Sequence, residues 1–405
     1  MSEVISLGTA RGGVRPRMRI GLLRLTDGAP VLAAHEFGFF ADEGLDTEIH
    51  VEPSWANIAD KLAYGFLDAA VIVPPLAFNV HLGLRGAAER LVIPYGVSTG
   101  GNSVTLARPL GETVLRRARS EDVPILQALA SCVSGGGLTL GVVHAYSTHN
   151  LLLRYWLATA GIEAPRDVRL TVVAPARAVE ALTSGEIAGF CAGAPWGEVA
   201  RRAGAGVTVA ATNDIWRNAP EKSLAVRARW MDENLGALDG ALRALLRASR
   251  FCDAPENAEY AAALLSRRRY VSIDPHAILA GLPGGAAPNR GCSFHRGAAT
   301  FPWRSQGLWF LNEMRRWGLL DPGIGLEALA GDVYRPDLYR AALKDTGESV
   351  PVADSKTEGG HGAPWNVAGS TGPIDMPGDA FCDGAVFDPA AVAPPSPAAA
   401  RQGIQ

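Results

Sequence analysis

Short apolar runs alternate with helical stretches along this chain, pause once at the turn-rich Ser98-Thr-Gly-Gly-Asn102, and then alternate again. That order restricts the fold more than any other feature. Strands separated by crossover helices pair in parallel and are covered by helices on both faces. In the first series the pattern predicts strands over 18–24, 46–52, 68–73 and 90–97, with helices over 31–43, 55–65 and 75–84. Pro30 falls in the first turn of the first helix and Gly44 just past its end, where each residue type is tolerated best. The second series has an extended segment over 103–107, helices over 122–132, 147–160 and 176–184, and strands over 138–143, 168–174 and 187–192. From about Asn213 the chain reads as largely helical, at 235–253, 256–266 and 302–317. It is expected to return there to the first unit and cover it.

These readings divide the chain into a flexible N-terminus (1–17), a first lobe (18–101), a second lobe (102–212), a helical return to the first lobe (213–345) and a C-terminal extension (346–405). At 405 residues the chain exceeds what one hydrophobic core organises. The expected class is therefore α/β with two lobes, each a mixed, mostly parallel sheet flanked by helices. In the extension, Gly359-Gly-His-Gly-Ala-Pro364 and the segment 389–397 are too rich in glycine, proline and small residues to bury much surface. A short strand is expected between them in Phe381-Cys-Asp-Gly-Ala-Val-Phe-Asp388, and the last residues are expected to be disordered.

Charge and motif content narrow the function. With 38 basic against 41 acidic side chains and no long basic run, the chain lacks the electrostatic footprint of a nucleic-acid binder. No apolar stretch has the length of a membrane span, and the arginine-rich start is not followed by a signal-peptide core. A cytoplasmic location is the expectation. The five cysteines, 132, 191, 252, 292 and 382, are widely spaced without CxxC and read as reduced thiols. No GxSxG, Walker A loop or HExxH pair is read in the chain, and no GxGxxG opening a helix after a strand. Gly135-Gly-Gly137 precedes a strand instead of following one, so it reads as a loop, and His144 and His149 are five apart, which spoils helical metal stacking. Neither an enzyme nor a metal or cofactor site is expected.

In open α/β sheets ligands bind beside the turns from strand to helix. Trp55 follows Pro53-Ser54, with Ser54 a candidate N-cap, and is either a core tryptophan or one wall of a cleft. His149, in Tyr146-Ser-Thr-His-Asn150, opens a helix after a strand, where backbone N–H groups and an imidazole suit an anion; a structural histidine is the plainer alternative. Gly193 in Gly193-Ala-Pro-Trp196 either makes a turn or lets an amide approach a ligand closely. Asn102 makes the crossover turn or offers an amide donor. Lys222, in Asn218-Ala-Pro-Glu-Lys-Ser223, is a surface lysine or a cation that closes over an anion.

Those segments resemble the NrtA/CmpA-type nitrate- and bicarbonate-binding proteins. The likeness rests on Leu25-Thr-Asp-Gly-Ala-Pro30, His35-Glu-Phe-Gly-Phe-Phe-Ala41, Ser54-Trp-Ala-Asn-Ile-Ala-Asp-Lys61 and Tyr64-Gly-Phe-Leu-Asp-Ala69. It continues through Gly100-Gly-Asn102, His149 with Leu153-Arg-Tyr-Trp-Leu-Ala158, Gly185-Glu-Ile-Ala-Gly-Phe-Cys191, Gly193-Ala-Pro-Trp196, Pro220-Glu-Lys222 and Asp383-Gly-Ala-Val-Phe-Asp388. The resemblance implies a type II periplasmic-binding-protein fold with an anion between the lobes, near Trp55, Asn102, His149, Gly193 and Lys222. At Asn102 the family's nitrate binder has a glutamine. The lysine is expected to favour a bare monovalent anion over bicarbonate, whose binder differs at that position and recruits calcium. Lacking the lipoprotein signal of the transport members, the sequence looks more like the cytoplasmic NasS-type sensors. The resemblance then implies that nitrate or nitrite releases a NasT-type RNA-binding antiterminator. The alternative is the substrate-binding component of an ABC transporter for nitrate, bicarbonate or another small anion. The enzymes of this fold that make the thiamine pyrimidine use a site rich in histidine and cysteine, which is not seen here.

Overall fold

The computed structural model describes residues 15–133, 137–285 and 291–392. Its strands, in chain order, are β1 (Arg17–Leu22), β2 (Asp46–Val51), β3 (Ala69–Ile72), β4 (Leu91–Gly100), β5 (Asn102–Ala107), β6 (Leu138–Val142), β7 (Val168–Val172), β8 (Gly189–Gly193), β9 (Gly206–Ala211), β10 (Pro220–Arg227), β11 (Cys292–Ser293), β12 (Trp365–Val367) and β13 (Ile374–Met376). They form one sheet in the order β11-β4-β10-β3-β1-β2, a second in the order β7-β6-β8-β5-β9, and a separate β12-β13 pair.

In the first sheet β1, β2, β3 and β4 run the same way, and β10 is inserted antiparallel between β3 and β4. In the second, β5 is the reversed strand, antiparallel to both β8 and β9. Each lobe is thus a mixed sheet with most strands in one direction. Along β3 the side chains alternate, Ala69 and Val71 packing to one face and Ala70 and Ile72 to the other, so the first sheet is buried on both sides. The helix Leu235–Asp253 covers one face together with Ala29–Glu36.

Two short connections join the lobes. One is Gly101 between β4 and β5, where Gly100 and Gly101 have φ of 66° and 82°. A Cβ at Gly101 would lie 2.3 Å from Cys292 Sγ, so both conformation and space call for glycine there. The other, between β9 and β10, holds Trp216. Its ring lies 4.7 Å from Trp309 and 4.8 Å from Phe381 of the extension, centroid to centroid.

Several elements differ from the expected ones. The helix expected over 31–43 breaks at Gly38, whose φ of 77° ends Ala29–Glu36 before Phe39–Asp42 begins. The helix Arg108–Glu121 was not anticipated, and the one expected over 122–132 shortens to Ile125–Ala130 because Asp122 is left-handed. The stretch after Asn213 is not purely helical. It supplies β10, a fully interior strand whose uninterrupted burial leaves no alternating pattern to read. Phe381 and Phe387 make two isolated bridges, to Trp216 and Glu358, instead of a strand of their own. The expected flexible start and disordered end fall, for 1–14 and 393–405, outside the described residues, as do Gly135 and Gly136.

Candidate functional site

The turn after β1 carries Thr26 and Asp27, both buried, and β10 brings Glu221 and Lys222 up beside them. Lys222 is not the surface lysine of the plainer reading. It is 1% exposed, and its Nζ lies 2.9 Å from Asp27 Oδ2 and 2.5 Å from Glu221 Oε1. Burial alone would lower its pKa; the two carboxylates outweigh that and raise it, so the ammonium is held charged. Asp27 shifts up from the ordinary carboxylate range because burial outweighs the attraction of Lys222.

The other expected residues gather round this ion cluster. Ser54 caps the helix Trp55–Ala63, its Oγ accepting the Asn57 N–H at 3.2 Å, which sets the buried Trp55 indole at the helix entrance. Lys222 Nζ stands 5.6 Å from the centre of that ring. Ser147 caps Thr148–Ala158 in the same way, and His149 in its first turn points its Nε2 to 3.6 Å from Glu221 Oε1. The His149 pKa is pushed well below its usual value, first by burial and then by Lys222, so the imidazole is neutral. Asn102 opens β5 directly opposite Gly193 at the end of β8. A Cβ on Gly193 would meet Asn102 Oδ1 and Leu25 Cδ2 at 3.3 Å and Asp27 Oδ2 at 3.4 Å, so the glycine lets the second lobe lie close against the first.

Trp55, Asn102, His149, Gly193 and Lys222 therefore occupy one buried seam between the sheets. Hydrogen bonds from Thr148 Oγ1 to Glu221 Oε1 (2.7 Å) and from Thr26 N to Ala194 O (2.8 Å) close it. Buried polar atoms without partners concentrate there: Thr26 Oγ1, Trp55 Nε1, both amide atoms of Asn102, His149 Nε2 and Glu221 Oε2. Orphaned buried polar groups are costly, and a cluster of them marks a place where a polar ligand completes the hydrogen bonding. A cavity of about 300 Å³ beside the crossover, lined by Gly101, Ala194, Pro195, Arg201 and Gly281, holds none of the five.

Asp27, Glu221 and Thr148 were missed as site residues although each lies within a segment that was singled out. An acid next to Lys222 was the available signal, but it carries weight only once β10 is known to be interior. Ser98 was missed as well: it lies opposite Lys222 on β4, buried and with its hydroxyl unpartnered. Gly96-Val-Ser-Thr-Gly100 does spell GxSxG, but it lies within strand β4, not on a strand-to-helix elbow, so the serine is not presented as a nucleophile. Among the described residues no group of three or more His, Cys, Asp or Glu side chains is placed to hold a metal ion. No helix there is long and apolar enough to cross a membrane. The described cysteines are all free, three of them buried.

Comparison with known proteins places this geometry. A model of the NMT1-like family matches residues 13–266. The nitrate/nitrite binding protein NrtA of Synechococcus elongatus is 32% identical over 369 residues, covering 85% of this chain and 82% of that protein. The nitrate import ATP-binding protein NrtC of Synechocystis is 33% identical over 340 residues, 81% of this chain, which spans only 50% of NrtC. The crystal structure of the periplasmic nitrate-binding protein NrtA from Synechocystis superposes with a TM-score of 0.79 at 26% identity, covering 92% of this chain and 96% of that one. By sequence and by fold, this chain belongs to the NMT1-like family, in its NrtA/CmpA-like branch, and has the periplasmic-binding-protein fold.

Proposed function

We propose that this chain binds nitrate or nitrite in the seam between its lobes, and that it acts as a cytoplasmic sensor and not as an enzyme. In this reading it holds a NasT-type RNA-binding antiterminator of nitrate assimilation and releases it when the anion closes the lobes. One observation carries the anion reading: Trp55 Nε1, Asn102 Nδ2 and His149 Nε2, all buried and unpartnered, lie in the same seam as the charged Lys222–Asp27–Glu221 cluster. Nitrate offers only acceptors, and such a set offers donors. The names of the relatives, nitrate/nitrite binding protein among them, support the same ligand.

Calorimetry against nitrate, nitrite, bicarbonate and sulfate tests the ligand. Nitrate or nitrite is expected to bind, and Trp55→Phe, which keeps the wall and removes the donor, is expected to weaken binding by about two- to tenfold, the worth of one neutral hydrogen bond of roughly 0.5–1.5 kcal/mol. Asn102→Ala and His149→Ala are expected to weaken it at least as much. Parent-like affinity in all three variants would place the anion elsewhere.

The sensing step needs a partner that prefers the open form, because a ligand shifts an equilibrium only through its preference for one state. The bonds Thr148–Glu221 and Thr26–Ala194 exist only when the lobes meet, and so supply a closed state for the anion to select. Linkage requires the partner to lower nitrate affinity by the same factor that nitrate lowers partner affinity, about 5- to 150-fold for ordinary couplings. Gel filtration of the chain with the antiterminator, with and without nitrate, reads this directly. A complex indifferent to nitrate excludes release by this ligand, and no complex at all favours the transport-component alternative.

A further inference from the structure

We infer that the seam takes up its anion together with one proton, carried by Asp27, so that the site selects singly charged oxyanions and binds them more tightly as pH falls. This rests on the anion reading above and adds a second, obligatory partner to it.

The argument begins with a charge count. Among the described residues the cation in contact with the cluster is Lys222, and it already touches two buried carboxylates, Asp27 at 2.9 Å and Glu221 at 2.5 Å. With both carboxylates ionised, the cluster carries one net negative charge before any anion arrives. The other groups facing it do not change that sum. His149 is held neutral, and the Cys292 thiol is kept protonated by burial first and by Asp27 next. Asp27, Glu221, Lys222 and His149 are each at most 4% exposed, so water screens little of this. An anion entering such a cluster would meet a net charge of its own sign.

Hydrogen-bond chemistry leads to the same place. Nitrate and an ionised carboxylate both accept and neither donates, so side by side they repel. Glu221 Oε2 and Asn102 Oδ1 are already unpartnered acceptors in the seam. A proton on Asp27 removes one negative charge, leaves the Lys222–Glu221 pair intact, and turns one acceptor into a donor. Asp27 is the group placed to take it. Its Oδ2 touches the Lys222 ammonium and lies 3.4 Å from where a Cβ on Gly193 would stand, where the lobes close, and its burial already favours the neutral acid. The same logic sets specificity. A doubly charged oxyanion would need a second proton and is rejected.

The sign follows from linkage. The liganded carboxyl keeps its proton to higher pH than the unliganded one, so binding takes up a proton between the two values and weakens as pH rises through that window. Titration calorimetry of the full chain with sodium nitrate at about pH 6, 7 and 8, in pairs of buffers with different ionisation enthalpies, counts the protons directly. The expected result is uptake approaching one proton per nitrate and a Kd that rises up to about tenfold per pH unit within the window. Asp27→Asn is expected to bind nitrate with no uptake and a flat pH profile. A parent chain that binds nitrate with no uptake and no pH dependence overturns the inference while leaving the anion reading intact. Uptake that persists in Asp27→Asn moves the proton to another group and overturns the role of Asp27. Absence of nitrate binding at every pH overturns the anion reading and this inference with it. Because the proton count is made on the parent chain, it decides whether a proton accompanies the anion even if the variant does not fold.

Discussion

Lys222→Ala is expected to lose nitrate binding and about 3–5 kcal/mol of folding stability together, the cost of removing one partner from a buried ion pair. The side chain is fully enclosed and balances Asp27 and Glu221. Its removal leaves two carboxylates facing each other in a space closed to water. A surface lysine would cost little and affect binding alone, so the joint loss distinguishes the two readings. Urea unfolding followed by far-UV circular dichroism measures the stability, and calorimetry on the folded fraction measures the affinity. Adding Asp27→Asn and Glu221→Gln to Lys222→Ala should restore much of the stability without restoring nitrate binding, since the uncompensated charges are then gone but the ammonium is still missing. An unfolding midpoint for Lys222→Ala equal to that of the parent would show that the cluster is not charged in the folded chain.

A loss of similar size, also about 3–5 kcal/mol, is expected from Lys356→Met, this time with nitrate affinity unchanged. The Lys356 side chain, 8% exposed, lies in the C-terminal extension with Nζ 2.5 Å from Glu358 Oε2 and 2.9 Å from Asp379 Oδ2. Ser305, in the helix Arg304–Arg316, donates to Glu358 Oε1 at 2.6 Å and accepts the Lys356 N–H at 3.2 Å. Asp379 in turn accepts the His361 N–H at 2.9 Å. This network ties the extension to the return helix and contains none of the five residues of the seam. Hydrogen exchange should show lost protection in Trp365–Val367 and Ile374–Met376, the pair the network holds in place. Unchanged exchange and an unchanged melting temperature would mean that the extension is held by its other contacts, such as Phe381 against Trp216 and Trp309 and Asp383 on Tyr155.

Local chemistry was legible without coordinates. Ser54 and Ser147 cap their helices because a serine just before a helix can accept an N–H of the first turn whatever lies around it. The strand-to-helix alternation placed Trp55 and His149 at helix entrances, and the turn glycines before Asn102 marked a crossover, all from neighbours within a few residues. Those signals suffice for an α/β chain in two lobes and for marking five residues, each with a plainer alternative; the family resemblance joined the five into one expected site, and the fold brings them into one seam.

What the chain could not reveal by itself was the charge of that seam. Asp27 and Lys222 are separated by nearly half the chain, and they meet because β10 runs antiparallel between β3 and β4. Nothing near Lys222 announces this, since a strand buried on both faces has no alternating pattern and its partners lie far away in sequence. The sequence by itself determined the class of fold, the helix caps and which polar residues stand at strand ends, because those depend on short-range sterics and hydrogen bonds. Only the tertiary structure decided that the lysine is enclosed, that two acids share it and that the histidine is neutral, because burial and Coulomb interactions depend on distances that exist only once the sheets are assembled.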